Sequence, residues 1–384
     1  MRRPGLVRRL ARPVLAVAFL AQLIVPLARI ATSYRATEGG LSPAQVLVLS
    51  SAFALLPAFL AISMGRHNDR RGGGTAAIAG AVLMAGGCIA MTLPIANMFW
   101  LIIASALLGM GQTLQLTALQ AEIGALRLQA HRERMVGGLM LWQAVGQVGA
   151  PLMLSIVALA GGELSRNLAL VAAGLAVAGA VTSLLLYRNA ALPRPVETPA
   201  SLRSIIRVPG LPWIIVGGSL CVAVQDLTLV YLPVVGNARD VPPPVIGLVL
   251  TLFAAAQMLA RAVYARASQR WGQNVLMWGS VLGTGLATAA LALPLGAVAI
   301  AVALSISGVC LGFAITASVA LTMRLAPPDA RSTSLGLRLA INRVGQFSIP
   351  LIAGLIATAQ AGAVFLLLGL AVAGTGVAGL RQKR

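Results

Sequence analysis

Val145-Gly146-Gln147-Val148-Gly149-Ala150-Pro151-Leu152 and Val344-Gly345-Gln346-Phe347-Ser348-Ile349-Pro350-Leu351 are two copies of one pattern, about 200 residues apart in a chain of 384. A second pair keeps the period: Gly65, Arg66, Asp69, Arg70 and Gly72 stand where Ala265, Arg266, Gln269, Arg270 and Gly272 stand further on. The chain is an internal duplication in the same sense. Pro151 and Pro350 each remove a backbone donor at the matched place, which predicts matched kinks in two corresponding helices.

Both copies lie in apolar surroundings. Hydrophobic residues make up 58% of the chain and charged ones 10%, with a mean hydropathy of +0.89. A soluble core of this length could not hide so much apolar surface. Helices of about 20 residues cross a hydrocarbon layer about 30 Å thick, so twelve of them take roughly 240 residues and leave short loops and overhangs. Apolar runs fall at 13–33, 44–64, 75–94, 98–120, 135–159 and 167–187, then at 211–234, 244–265, 275–293, 296–323, 334–357 and 360–380. The expected class is an all-α membrane protein of twelve transmembrane helices in two pseudo-symmetric six-helix bundles. The bundles are 1–187 and 211–384, joined by a cytoplasmic linker at 188–210 that holds Pro193, Pro195, Pro199 and Pro209. Within the linker Leu202, Ile205 and Ile206 share a helical face opposite Arg203 and Arg207. This composition fits either a short helix in the headgroup plane or a solvated strand of linker.

The net charge of +20 does not mark a nucleic-acid partner, because the basic residues form no continuous face and do not alternate with aromatics. They follow every second loop instead: Arg2 to Arg12, then Arg66 to Arg71, Arg127 to Arg134, Arg188 to Arg207, Arg266 and Arg270, Arg324 and Arg331, and Arg381 to Arg384. The intervening loops hold only Arg35, Arg166 and Arg239. Positive charge resists translocation, so the rich loops and both termini are expected in the cytoplasm of a multi-pass protein of the cell membrane, with the lipid bilayer as its main partner. The basic head before Val14 resembles a signal peptide, yet a matching second span follows at once, which favours a retained first helix.

Cys88, Cys221 and Cys310 fall singly in apolar runs and His67 and His131 singly in loops, so no metal site, disulfide frame or cofactor is expected. No Gly-x-x-x-x-Gly-Lys loop occurs, and a gradient rather than a nucleotide would have to supply energy. One proton moved through about 100 mV yields about 2.3 kcal/mol, enough for roughly a fifty-fold gradient of a neutral solute.

The stretch Gly65-Arg66-His67-Asn68-Asp69-Arg70-Arg71-Gly72 resembles the Gly-x-x-x-Asp-Arg-x-Gly signature of the major facilitator superfamily. With twelve spans, a duplicated half and a degenerate second copy at Ala265 to Gly272, the resemblance covers essentially the whole chain. It implies a secondary transporter, not an enzyme, working by alternating access. It also implies that Gly65, Asp69, Arg70 and Gly72 form a cytoplasmic latch engaging the run Arg331 to Ser334. Two departures separate the chain from the drug and proton antiporter branch. Ser105 stands where that branch has an Arg four residues before Gly109, and Gly149-Ala150-Pro151 only approximates its Gly-Pro pair.

Charges inside the spans point to a site. Asp226 lies well within the seventh span, where a charge costs about 2.5 to 3.5 kcal/mol, so it needs a partner, water or a proton. It is the proton-coupling candidate. Arg343 lies mid-way along the eleventh span and Arg29 in the outer third of the first; either is able to pair with Asp226, and the surplus cation is free for an anionic ligand. Arg261 and Arg338 lie nearer the cytoplasm and are expected to snorkel. Gln22 shares a face with Arg29, and Ser219 with Asp226, while Gln112, Gln115, Gln143, Gln147, Asn342 and Gln346 add a polar lining for the cleft between two such halves.

These readings converge on a proton-coupled secondary transporter, monomeric, moving a small organic solute, with an organic anion favoured, bound by Arg29, Arg343, Gln22, Gln112 and Asn342. The alternative is a proton-coupled multidrug efflux antiporter, for which greasy walls and one membrane acid suffice. A non-transporting receptor of the same fold gains little from a chain with no appended soluble domain.

Overall fold

The computed structural model describes the backbone of residues 4–71, 73–93, 97–124, 129–187, 205–326, 331–356 and 362–381; at some helix ends, 61–71 and 331–333 among them, it describes the backbone alone. Twelve long helices run through these residues. They are α1 (Pro4–Glu38), α2 (Pro43–Arg71), α3 (Gly73–Thr92), α4 (Met98–Gly124), α5 (Gln129–Ala160) and α6 (Leu164–Tyr187), followed by α7 (Leu211–Asn237), α8 (Pro243–Trp271), α9 (Gln273–Ala290), α10 (Ala297–Leu325), α11 (Arg331–Ile356) and α12 (Ala363–Arg381). Lipid offers no hydrogen bonds to an exposed backbone, so an apolar chain of this kind satisfies its amides within helices. Ten of the twelve are long and apolar enough over their described residues to cross a bilayer; α9 and α11 are not. In α11 the apolar run is broken by Arg338, Asn342, Arg343 and Gln346. The 27 residues of α4 and 29 of α10 span about 40 Å at 1.5 Å per residue, so both overhang or tilt.

Helix ends repeat between the halves. Both α2 and α8 begin on a proline, Pro43 and Pro243, whose fixed φ suits a first helical turn and whose missing N–H is not needed there. Ser42 and Gln45 cap α2 reciprocally: the Ser42 amide donates to Gln45 Oε1 at 2.8 Å and the Gln45 amide to Ser42 Oγ at 3.3 Å. The turn before each proline carries a left-handed residue, Gly40 at φ 78° and Asp240 at φ 53°. The stretch 65–71, read from sequence as a loop, is the last part of α2; only Gly72 separates it from α3. The second copy behaves alike, since α8 continues to Trp271 and breaks at Gly272, whose φ of 80° is poorly suited to any residue with a side chain.

Packing divides the chain into two compact units, one of Met1–Gly40 and Ala52–Glu197, the other of Leu41–Ser51 and Thr198–Arg384. In the first, α1 packs on α5 and α6, and α3 on α4 and α6; in the second, α7 packs on α10 and α11, α8 on α10, and α9 on α10 and α12. Both units use glycine to bring backbones together. A Cβ on Gly109 of α4 would collide with the Phe53 carbonyl oxygen of α2, and one on Gly308 of α10 would collide with that of Phe253 on α8. Helix contact in lipid depends on such close approach, because water does not drive apolar faces together there. The outer faces are correspondingly greasy, with Phe59 73%, Leu159 76% and Val298 79% exposed.

Among the described residues the three arginines of the outer loops have local partners. Arg35 donates from Nη2 to the Leu93 carbonyl at the end of α3 (2.6 Å), and Arg239 from Nη2 to those of Leu291 and Ala292 at the end of α9 (3.0 and 3.4 Å). Each therefore satisfies carbonyls that the helix terminus leaves open and sits at its negative end. Arg166 forms an exposed pair with Glu163 at 3.5 Å.

The described end of the linker separates two of the residues expected to share a face. Ile205 is fully buried against Leu211, Ile215 and Ala326, whereas Ile206 points outward and Arg207 lies in a turn. Neighbouring helical residues diverge by about 100°, so one apolar pocket at the foot of α7 and α10 takes Ile205 and cannot take Ile206. Leu202 and Arg203 lie outside the described residues.

Candidate functional site

The polar positions of α7 and α11 form one network within the second unit. Ser219 and Asp226 are seven apart, two helical turns, and Asn342 and Gln346 are four apart, one turn, so each pair shares a face. The two helices pass at Gly345, where an added Cβ would stand 3.8 Å from the Ser219 carbonyl oxygen. That meeting point sets both contacts. Ser219 Oγ lies 2.6 Å from Asn342 Oδ1 and 2.8 Å from the Ile215 carbonyl of its own helix. Toward the outer side, the Gln346 amide donates to Asp226 Oδ2, while its own oxygen accepts from Arg343 Nη1 at 2.9 Å. Asn342, Arg343 and Gln346 are all buried. Gln346 thus touches both the cation and the carboxylate that the sequence placed as partners.

A primary amide has one accepting and one donating end, and both ends are used here. The bridge orients the amide and ties the position of Arg343 to the charge state of Asp226. Buried ionic groups of this kind hold each other against the cost of leaving water only while every partner is in place.

The first unit carries a shorter arrangement. Gln147, the counterpart of Gln346 in the repeat, donates from Nε2 to Gln22 Oε1 at 3.2 Å, where α5 crosses α1. Gly146 makes that crossing close: an added Cβ would lie 2.6 Å from the Phe19 carbonyl oxygen and 3.0 Å from the Gln22 carbonyl carbon. Arg29 is buried with its guanidinium 4.3 Å from the Phe53 ring centroid, a cation–π contact in a place where water would otherwise have to follow the charge. Gln112 is half-buried on α4. The structure therefore joins Asp226, Gln346 and Arg343, joins Asn342 to Ser219 and Gln22 to Gln147, and places Arg29 on Phe53.

Two sequence expectations change. Arg338 does not snorkel: it is 6% exposed and turns into the unit, where its Nε donates to Ser318 Oγ of α10 at 3.2 Å. Room for this comes from Gly218 of α7, where any Cβ would strike Ser318 Oγ. Arg261 also turns along its helix, donating from Nη2 to Gln257 Oε1 at 2.9 Å, with Nε buried. Glu122, beyond the span of α4, is 2% exposed. For the Ser318 contact the sequence held no signal, because a serine in an apolar run is ordinary. Gly65, Asp69 and Arg70 end α2 and Gly72 follows it, so the latch side chains lie outside the described residues.

No curated protein is similar to the chain in sequence at a significant level. Solved structures that resemble it include a peptide transporter POT in complex with sulfate (TM-score 0.78, 15% identity, covering 97% of this chain and 94% of that one). The nucleoside transporter NupG (0.74, 15%, 98% and 99%) and a D-xylose-proton symporter (0.71, 15%, 94% and 96%) resemble it too. Identities this low speak for the fold alone. The sequence description of the Major Facilitator Superfamily matches residues 14–243 and again 214–382, one match for each copy of the repeat. With an all-helical duplicated architecture under that match, the chain is a multi-pass membrane transporter belonging to the Major Facilitator Superfamily.

Proposed function

We propose that the chain is a secondary active transporter that moves a small organic anion together with a proton, with Asp226, Gln346 and Arg343 as the coupling centre. The observation that carries this reading is the single amide of Gln346, which donates to the Asp226 carboxylate and accepts from Arg343. When a proton neutralises Asp226, the carboxyl becomes a weaker acceptor for the amide, and the positive charge of Arg343 loses the negative end of its relay. An anion arriving then restores neutrality. Proton and anion enter as a neutral pair, which avoids the cost of a lone charge at the middle of the membrane. Linkage makes the effect reciprocal, so each favours the binding of the other.

Asn342 precedes Arg343 and offers a neutral amide beside it. That one structural relative is itself named a proton symporter is compatible with this coupling. The test is uptake by purified protein in proteoliposomes, with a panel of small carboxylates and an imposed pH step. Accumulation of an anion that is lost in Arg343→Ala, and binding that turns independent of pH in Asp226→Asn, are the expected results. Resistance to amphiphilic cations that depends on Asp226, with no anion uptake, would replace this reading with drug export.

A further inference from the structure

Gln225 is the neighbour of Asp226 on α7, and it ends a second relay built like the one at the coupling centre. Arg261 of α8 donates from Nη2 to Gln257 Oε1 at 2.9 Å, and Gln257, one turn earlier on the same helix, donates from Nε2 to Gln225 Oε1 at 2.9 Å. Successive residues of a helix diverge by about 100°, so Asp226 meets Gln346 of α11 while Gln225 meets Gln257 of α8. Gln257 is held from the α10 side as well: it is 2% exposed, and a Cβ on Gly312 would stand 2.6 Å from its carbonyl oxygen. Two lines of cation, glutamine and α7 side chain therefore end on consecutive residues.

The polarity of the second line is fixed by its first member. A guanidinium only donates, so the Gln257 oxygen has to face Arg261 and the Gln257 NH2 has to face away. Arg261 also keeps a buried Nε without an acceptor, so the opposite flip of Gln257 would take from it the one acceptor it has among the described residues. Gln225 must in turn accept, which leaves its own NH2 as the open end of the line. Gln225 is half-buried, and that NH2 makes no hydrogen bond among the described residues. An amide donor within a membrane span costs free energy until an acceptor meets it. The first line ends on an acceptor that a proton neutralises, the second on a donor of set direction, and the two stand side by side. We propose that Gln225 contacts the solute, its NH2 donating to a carboxylate oxygen of the transported anion, with Gln257 and Arg261 as positioning residues that keep this donor turned away from α8. The assignment rests on the anion transport proposed above.

The variant that tests it is Gln257→Glu. Its carboxylate keeps the bond to Arg261 and strengthens it, yet it only accepts, so Gln225 has to turn its NH2 toward α8 and present its oxygen to the solute instead. The measurement is equilibrium binding to the purified full chain in detergent, by calorimetry, with acetate, lactate, succinate and citrate as probes at constant ionic strength and chloride as the control. The tightest binder is then repeated as its amide. Gln257→Glu is expected to weaken the carboxylate at least about tenfold, as loss of a hydrogen bond to a charged group does, without weakening the amide or lowering the melting temperature. A glutamine that served only to tie α7 to α8 would leave the preference for carboxylate over amide where it was. Should this variant not fold, Gln225→Met removes the donor at similar length and should cost the carboxylate the same factor. Unchanged carboxylate affinity in a folded variant, or no saturable binding of any probe to the wild type beyond chloride, would overturn the assignment. Uptake that is lost in Arg343→Ala but keeps its KM in Gln257→Glu would sink this assignment and leave the transport reading standing. Carboxylate binding that Gln257→Glu weakens, in a chain that accumulates no anion, would do the reverse.

Discussion

Gln147 and Gln346 occupy the same place in the two copies of the repeat, each reaching from the fifth helix of its half to the first. In the first unit the partner is the neutral Gln22; in the second it is the carboxylate of Asp226, with Arg343 on the other end of the amide. One scaffold position therefore serves as a plain interhelical tie in one unit and as the middle of an ionic relay in the other. Duplication supplied the geometry, and side-chain divergence supplied the chemistry.

The comparison breaks most visibly at the carboxylate. Asp226→Asn turns the second network into a neutral one like the first; a one-unit pH step, which sustains about tenfold accumulation of a proton-coupled anion in the wild type, should then sustain none, while exchange of labelled solute across vesicles persists. Glutamine removal comes next. Gln346→Ala is expected to lower initial uptake rates about tenfold by uncoupling Arg343 from Asp226, in line with the loss of charged hydrogen bonds. Gln147→Ala should cost only about 0.6 kcal/mol in thermal unfolding, the worth of one interhelical bond in a membrane.

The neighbouring glycines sharpen the contrast in the opposite direction. Gly146→Ala crowds the Phe19 carbonyl and should destabilise by about 1–3 kcal/mol; Gly345→Ala meets nothing closer than 3.8 Å and should melt close to the wild type. The smallest effect is expected at the signature. Asp69→Asn should slow uptake a few-fold without altering expression, whereas Gln269→Asn, at the matching place in the second copy, should leave the rate unchanged. Equal rates in all three proteins would remove the latch.

The architecture was readable from residues because lipid simplifies the problem: runs of apolar residues, arginines in every second loop and a repeated Gly-Gln with its proline leave one arrangement of helices. The polar network was half readable. Spacing placed Asp226, Arg343 and Gln346 on two helices of the second half, but a spacing does not say which side chains meet. The crossing of α7 and α11 at Gly345 decides that, and it brings the Gln346 amide to both ions. Arg338 was misjudged for a related reason. Nearness to the cytoplasm makes snorkelling the default for a long cation, and only the missing side chain of Gly218 opens the inward path to Ser318.

Arg35 and Arg239 carry a consequence for how the protein is made. Each lies at or just past the end of the first helix of its half, yet its carbonyl partners appear only when the third helix of that half, α3 or α9, has been completed. A nascent hairpin of α1 and α2, or of α7 and α8, would hold a translocated arginine without these protein carbonyls, served by water and headgroups alone. Membrane insertion should therefore become secure in steps of three helices rather than two, with the ribosome having to finish each triplet before its outer end is sealed.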